Sequence, residues 1–367
     1  MSNVKDIMVP WLKGIKPCFP KHIDMAWENK KLVRMMSNEG PFEPRKVILD
    51  ELIEGAKAAN RYPSSLNHIK KKIGEINFGL NSDCILFGNG STEVLDMIFR
   101  SFLQPGDELI QSIPCYGSYA KQASALGAKT ISILAKDNWK YDVDEIEKAI
   151  SPKTKIVILA NPNNPTGNLM KDVVCDRLAQ KNIIFICDEA YIEYSGLKNS
   201  KIHLMMKYPN MIIVRSLSKA YGLAGVRFGY ALGCPEIIEI VSRVTMLYNV
   251  NVVSAFGAYA ALSDQKGLEK EISFINKEKD YIERELSKIY NLVIYQTYGN
   301  FILIDASSTG ITSEEIVSSI MNDHGILLRN IAAFKGRKGL FRITIGNKKE
   351  NKKCVSAIKE FFKSKER

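Results

Sequence analysis

From Cys84 to Leu232 the chain alternates short apolar runs with stretches of helical periodicity, and that alternation restricts the fold more than any other feature. The runs are Cys84–Phe87, Glu108–Ser112, Thr130–Leu134, Lys155–Ala160, Ile183–Cys187, Met211–Arg215 and Phe228–Leu232. Runs this short and this rich in Ile and Val suit strands buried on both faces of a largely parallel sheet. Between the first two runs, Ser91 to Leu103 sets Val94, Leu95, Ile98, Phe99, Phe102 and Leu103 at helical spacing. Pro105-Gly106-Asp107 then breaks the chain before the next run. The expectation is an α/β fold, with a mostly parallel seven-stranded sheet and helices on both of its faces.

Beyond Leu232 the pattern changes. Ile237–Tyr248 and Ser254–Leu262 read as helices, and Lys266–Ile289 as a long charged helix suited to connecting two domains. Strands follow at Leu292–Tyr295, Phe301–Asp305, Ile326–Arg329 and Leu340–Thr344, with a helix at Ser313–Asp323 and a final basic helix from about Lys349. A length of 367 residues suits roughly two domains. The expected division is a large domain over 40–265 and a smaller α+β domain formed by 1–39 and 266–367.

Several classes of protein are excluded. No apolar run approaches the ~18 residues of a membrane span, and the first ten residues lack an apolar signal core. Seven scattered cysteines contain no C-x-x-C pair, which argues against zinc ribbons and disulfide frameworks and for a reduced, cytoplasmic protein. The four histidines have no metal-ligand spacing to one another or to the cysteines, so no metal is expected. The net charge of +11 is spread along the chain without interleaved aromatics, so it reads as a solvated surface that steers anionic small molecules rather than a nucleic-acid site.

Four segments carry chemistry, each at the end of an apolar run. Ser216-Leu217-Ser218-Lys219 is followed eight residues on by Arg227 across a glycine-containing turn. Hydroxyls and a guanidinium suit a phosphate, and a lysine beside a phosphate site suits Schiff-base chemistry; a surface lysine in a loop is the plainer alternative. Asp188-Glu189-Ala190-Tyr191 puts a carboxylate at a buried strand end, where it needs a cation such as a pyridinium, or else serves as a helix cap. Asn161-Pro162-Asn163-Asn164-Pro165-Thr166-Gly167 is either a rigid turn that fixes the Asn164 amide or an ordinary one. Gly88-Asn89-Gly90-Ser91-Thr92 opens a helix with glycines that let backbone amides face an anion, or simply caps it.

Taken in order, these segments resemble the fold-type I, pyridoxal-phosphate-dependent aminotransferases of class I and II, whose architecture is aspartate-aminotransferase-like. The nearest resemblance is to the histidinol-phosphate aminotransferase branch. Val9-Pro10-Trp11-Leu12-Lys13-Gly14, Ser37-Asn38-Glu39-Gly40-Pro41, Arg61-Tyr62-Pro63, Pro114-Cys115-Tyr116-Gly117 and Phe341-Arg342-Ile343-Thr344-Ile345-Gly346 follow the order of that branch. The resemblance implies that Lys219 carries pyridoxal 5'-phosphate as a Schiff base and moves the substrate proton. It implies that Asp188 pairs with the pyridine nitrogen, and that Asn164 and Tyr191 bond the ring oxygen. Ser91, Thr92, Ser216, Ser218 and Arg227 would hold the phosphate, and Tyr116 would stack on the ring. Tyr62 would reach the phosphate in the neighbouring subunit of a homodimer. Arg342 would meet the acidic group of the substrate, with Arg329, Trp11 and Asn38 as further substrate contacts.

The reaction implied is ping-pong transfer of an amino group from histidinol phosphate or an aromatic amino acid to a 2-oxo acid. The alternative on the same fold is a decarboxylase resembling threonine-phosphate decarboxylase. Two departures bear on the donor. The branch usually has tyrosine where this chain has Trp11, and Gly40 stands in what is usually N-E-N-P. Loss of a phosphate-binding hydroxyl predicts that an aromatic or other amino acid is used at least as well as histidinol phosphate.

Overall fold

The computed structural model describes residues 4–17, 21–64, 66–331 and 333–365; Cys18 lies outside them. Strand β1 (Val33–Arg34) precedes the seven strands of the main sheet: β2 (Ile85–Gly88), β3 (Glu108–Ile113), β4 (Lys129–Leu134), β5 (Thr154–Ala160), β6 (Ile184–Asp188), β7 (Met211–Ser216) and β8 (Gly229–Leu232). Each falls on one of the seven apolar runs. Their order across the sheet is β2-β8-β7-β6-β5-β3-β4, and only β8 runs antiparallel to its neighbours.

The central runs are almost continuously apolar because both faces of the sheet are covered there, whereas the edge strand β4 is partly exposed and carries Thr130 and Ser132 between its apolar residues. Ile110, Val157, Phe185 and Ile213 enter one buried cluster, while Leu109, Ile156, Ile186 and Ile212 enter another. Neighbouring residues of a strand point to opposite faces, so both members of each pair must be apolar. Among the helices, Lys46–Lys57 and Val252–Ser263 approach closely enough that a Cβ on Gly55 would lie 2.9 Å from Val253 Cα, and one on Gly257 would lie 2.4 Å from Leu52.

Past the main sheet, β9 (Val293–Ile294), β10 (Phe301–Asp305), β11 (Ile326–Leu327), β12 (Arg329–Asn330) and β13 (Leu340–Thr344) follow the long helix Gln265–Leu286. Asp264 caps that helix by accepting from Gly267 N. A four-stranded sheet has the order β12-β13-β10-β9. The strand expected over Ile326–Arg329 is divided between two sheets. β11 pairs in parallel with β1, whereas β12 pairs antiparallel with β13, so the chain changes partners at Leu328. The helix expected over Ile237–Tyr248 runs instead over Pro235–Ser242. Met246 and Leu247 beyond its end are largely exposed, and Tyr248 takes a left-handed conformation at φ 57° that a helix does not accommodate. Among the described residues, no helix is long and apolar enough to cross a membrane.

All parallel strands of the main sheet end on one edge, and antiparallel β8 begins there. The four chemical segments are therefore delivered to a single place, at the carboxyl ends of the strands where open α/β sheets bind ligands.

Candidate active site

The strand ends surround a cleft of about 630 Å³. Ser91, Thr92, Tyr116, Asn164, Asp188, Tyr191, Ser216, Ser218, Lys219 and Arg227 all line it, together with Asn38, Arg329 and Arg342.

At its floor, Asp188 is 7% exposed at the end of β6. Its Oδ1 accepts from Ala190 N at 3.0 Å and its Oδ2 from the Tyr119 hydroxyl at 2.5 Å. Burial pushes this carboxyl above its usual range, and the two donated hydrogen bonds oppose that only in part. A buried carboxylate in this state is stabilised by any cation that enters beside it.

Opposite stands a cationic cup. Ser216 Oγ accepts from Ser218 N at 3.1 Å, and Ser218 Oγ accepts from Arg227 Nη1 at 3.2 Å. Arg227 lies against the start of the helix Ser91–Phe102, where a Cβ on Gly90 (φ +81°) would fall 2.3 Å from its Nη2. The first N–H groups of that helix have no partner within it. Among the described residues, Arg227 makes no ion pair with a carboxylate, so hydroxyls, helix start and guanidinium together could hold a phosphate.

Lys219 sits between floor and cup. Its Nζ donates to Ser37 O at 3.2 Å and lies 5.5 Å from the centre of the Tyr191 ring. The Tyr191 hydroxyl accepts from Asn38 Nδ2 at 3.0 Å and from Asn164 Nδ2 at 3.4 Å, which leaves its own proton to donate. Asn164 is oriented from behind, because its Oδ1 accepts from Arg342 Nη1 at 2.5 Å. The turn that carries Asn164 is anchored at both ends. Asn161 Oδ1 accepts from Met170 N at 2.9 Å, and Gly167 (φ +74°) passes so near Thr297 that a Cβ would meet its Oγ1 at 2.2 Å.

Arg342, on β13, is 6% exposed. It donates to Met36 O at 2.7 Å and lies 5.4 Å from the centre of the Phe301 ring, while its Nε has no hydrogen-bond partner among the described residues. Burial pushes its guanidinium down to about 10, and the nearby Arg329 acts in the same direction. Arg329 is exposed at the cleft mouth, 3.4 Å from His22 Nε2. Glu39, also in the wall, is engaged by Arg34 at 2.8 Å.

Two of the residues singled out in the sequence stand elsewhere. The Trp11 indole N–H donates to Ala125 O at 3.0 Å, outside the cleft. Tyr62 is 78% exposed and stacks on Tyr248, with ring centres 4.3 Å apart. Conversely, Tyr119 and His22 line the cleft without having been singled out. Tyr119 follows Tyr116 at i+3 in the sequence, a spacing that brings two side chains together at a helix start. His22 offers no comparable signal.

The model of the family described as aminotransferase class I and II matches residues 30–358. A histidinol-phosphate aminotransferase 1 of Mannheimia succiniciproducens is 34% identical over 336 residues, covering 89% of each chain. A histidinol-phosphate aminotransferase of Methanosphaera stadtmanae is 31% identical, covering 91% of this chain and 92% of its own. Among solved structures, a histidinol-phosphate aminotransferase of Sinorhizobium meliloti in complex with pyridoxal-5'-phosphate superposes with a TM-score of 0.89 over 98% of each chain, at 24% identity.

Proposed function

The chain belongs to the class I and II aminotransferase family and is a pyridoxal-phosphate-dependent aminotransferase, and from that premise we propose that it takes its amino group from an acidic donor, histidinol phosphate or an aromatic amino acid, and passes it to a 2-oxo acid. The observation that carries the choice of an acidic donor is Arg342, a buried cation in the cleft wall with no carboxylate partner among the described residues. An anionic group on the donor would supply that partner bidentately. The names of the relatives favour histidinol phosphate; the position of the Trp11 indole, bonded outside this chain's cleft, favours no particular donor.

The residues present fit the cofactor. Asp188, buried with no salt bridge among the described residues, suits a ring nitrogen; the cup of Ser91, Thr92, Ser216, Ser218 and Arg227 suits its phosphate. Tyr191 and Asn164 would donate to its ring oxygen, and Tyr116 would cover one ring face. When bound, pyridoxal phosphate supplies an electron sink for the carbon that carries the amino group. Asp188 would keep the proton on the ring nitrogen. Lys219 Nζ, once released, would take the proton from the donor carbon and hold it for return. Arg342, with Arg329 and Asn38, would orient the donor, and donor and acceptor using one cleft in turn gives ping-pong kinetics.

The active unit in this proposal is a homodimer in which Tyr62 serves the partner's site. Support comes from a surface where Tyr62, Met246 and Leu247 are exposed at 78%, 67% and 80%. We also assign 40–265 to a large domain and 1–39 with 266–367 to a small one, a division supported by the pairing of β1 with β11. Cytoplasmic residence belongs to the same proposal, supported by six free cysteines among the described residues.

The test is kcat/KM for histidinol phosphate, phenylalanine, tyrosine and histidine, each with 2-oxoglutarate. Turnover of at least one acidic donor is expected. Activity confined to donors without an acidic group would overturn the proposal, and carbon dioxide release without need of a 2-oxo acid would indicate decarboxylation.

A further inference from the structure

Asp188 is held by a residue outside the four sequence segments. Tyr119 is 1% exposed and begins the helix Ser118–Ala125 that follows β3. Its hydroxyl reaches Asp188 Oδ2 at 2.5 Å, and its ring meets Tyr116 edge-on, with centres 5.5 Å apart and planes at 83°. Both of its contacts thus go to residues on the two sides of the ring position, one at the nitrogen and one at a face.

We propose that Tyr119 is a positioning residue that acts through Asp188, fixing the carboxylate and keeping it a weak base so that the shared proton stays on the cofactor's ring nitrogen. A donor bonded to a carboxylate stabilises its charged form. Without it, Asp188 in this dry site would compete more strongly for the proton, and the ring would lose part of its positive charge. Burial and the neighbouring carboxylate keep the Tyr119 phenol protonated, so it is a donor throughout the working pH range.

The proposal rests on Asp188 facing the ring nitrogen, and binding measurements separate the two ideas. Full-length wild type and Tyr119→Phe are titrated with pyridoxal phosphate and with its 1-deaza analogue, which has carbon in place of the ring nitrogen. Loss of a hydrogen bond to a charged group predicts roughly tenfold or greater weakening for pyridoxal phosphate, with little change for the analogue. At saturating cofactor, kcat should fall while the donor KM stays near its wild-type value. Equal weakening for both ligands would reduce Tyr119 to packing against Tyr116 and overturn the proposal, as would unchanged pyridoxal phosphate affinity. If wild type binds both ligands equally, the placement of Asp188 fails first, and this proposal with it. Should Tyr119→Phe not fold, the same change in an Asp188→Asn background, where no buried carboxylate is stranded, should leave affinity for pyridoxal phosphate unchanged; a further loss there would also overturn it.

Discussion

Arg329 and Arg342 are directly opposed across the β12–β13 pair, and both line the cleft. Like charges in register repel, and one of these two is buried. Arg329 at the mouth and Arg342 in the wall set two cations side by side, and under the proposed function the acidic group of the donor would offset their repulsion. Arg342→Met is expected to lower kcat/KM for the acidic donor by about a hundredfold or more, since bonds to charged groups contribute roughly 1.5–3 kcal/mol each. Arg329→Ala, at an exposed position, should lower it by about tenfold or less, with an effect that shrinks as salt is added. Steady-state kinetics at two ionic strengths measures both.

Lys219→Ala should abolish transamination and the covalent capture of pyridoxal phosphate by borohydride. Among the described residues the Lys219 ammonium donates to Ser37 O, faces the Tyr191 ring and makes no salt bridge, so its removal should leave the fold standing. A circular dichroism spectrum like that of wild type, with no reducible adduct, is the expected result.

Asp188→Asn should leave the melting temperature of the cofactor-free protein unchanged or raised, because it removes a carboxyl whose charged form burial disfavours. The same change should lower kcat steeply, because an amide cannot keep the ring nitrogen protonated. Calorimetry and steady-state rates on one preparation test both halves.

Glu193 gives a pH dependence. It is 7% exposed, its Oε2 has no hydrogen-bond partner among the described residues, and burial raises its carboxyl to about 7 despite the Arg215 guanidinium, with Glu189 nearby adding to the rise. The folded state therefore binds a proton that the unfolded state has lost, so stability falls as pH rises from the ordinary glutamate range to about 7. Glu193→Gln removes that slope. Its melting temperature relative to wild type should climb between pH 5 and 8 by an amount corresponding to on the order of 3 kcal/mol.

Sedimentation tests the proposed homodimer. Wild type should sediment as a dimer at assay concentration. Tyr62→Ala should lose pyridoxal phosphate affinity, because its hydroxyl would be missing from the partner's cup. A monomer with full activity would contradict the assignment.

Much of the fold was legible in the chain because burial on both faces leaves little room for polar residues in the central strands. Seven apolar runs became the seven strands of the main sheet, with ends shifted by a residue or so. The boundaries that differed lie where burial depends on remote contacts. Ile326–Leu327 and Arg329–Asn330 read as one strand by local composition, and only their separate partners, β1 and β13, divide them.

Local order along the chain dictates which groups can meet. Each chemical segment is local, and each directly follows or precedes an apolar run, so parallel pairing sends Asn164, Asp188, Ser216, Ser218 and Lys219 to one edge. Antiparallel β8 returns Arg227 to the same edge from the other direction. What stands behind them depends on how the elements pack. The Tyr119 hydroxyl meets Asp188 across 69 residues, and Arg342 orients Asn164 across 178. Such contacts depend on helix placement and sheet register, which are set by packing of the whole core and leave no mark on neighbouring residues. The same holds for Trp11, which replaces the usual tyrosine of the branch, and for Tyr62: the segments are readable in the chain, while both side chains lie outside its cleft.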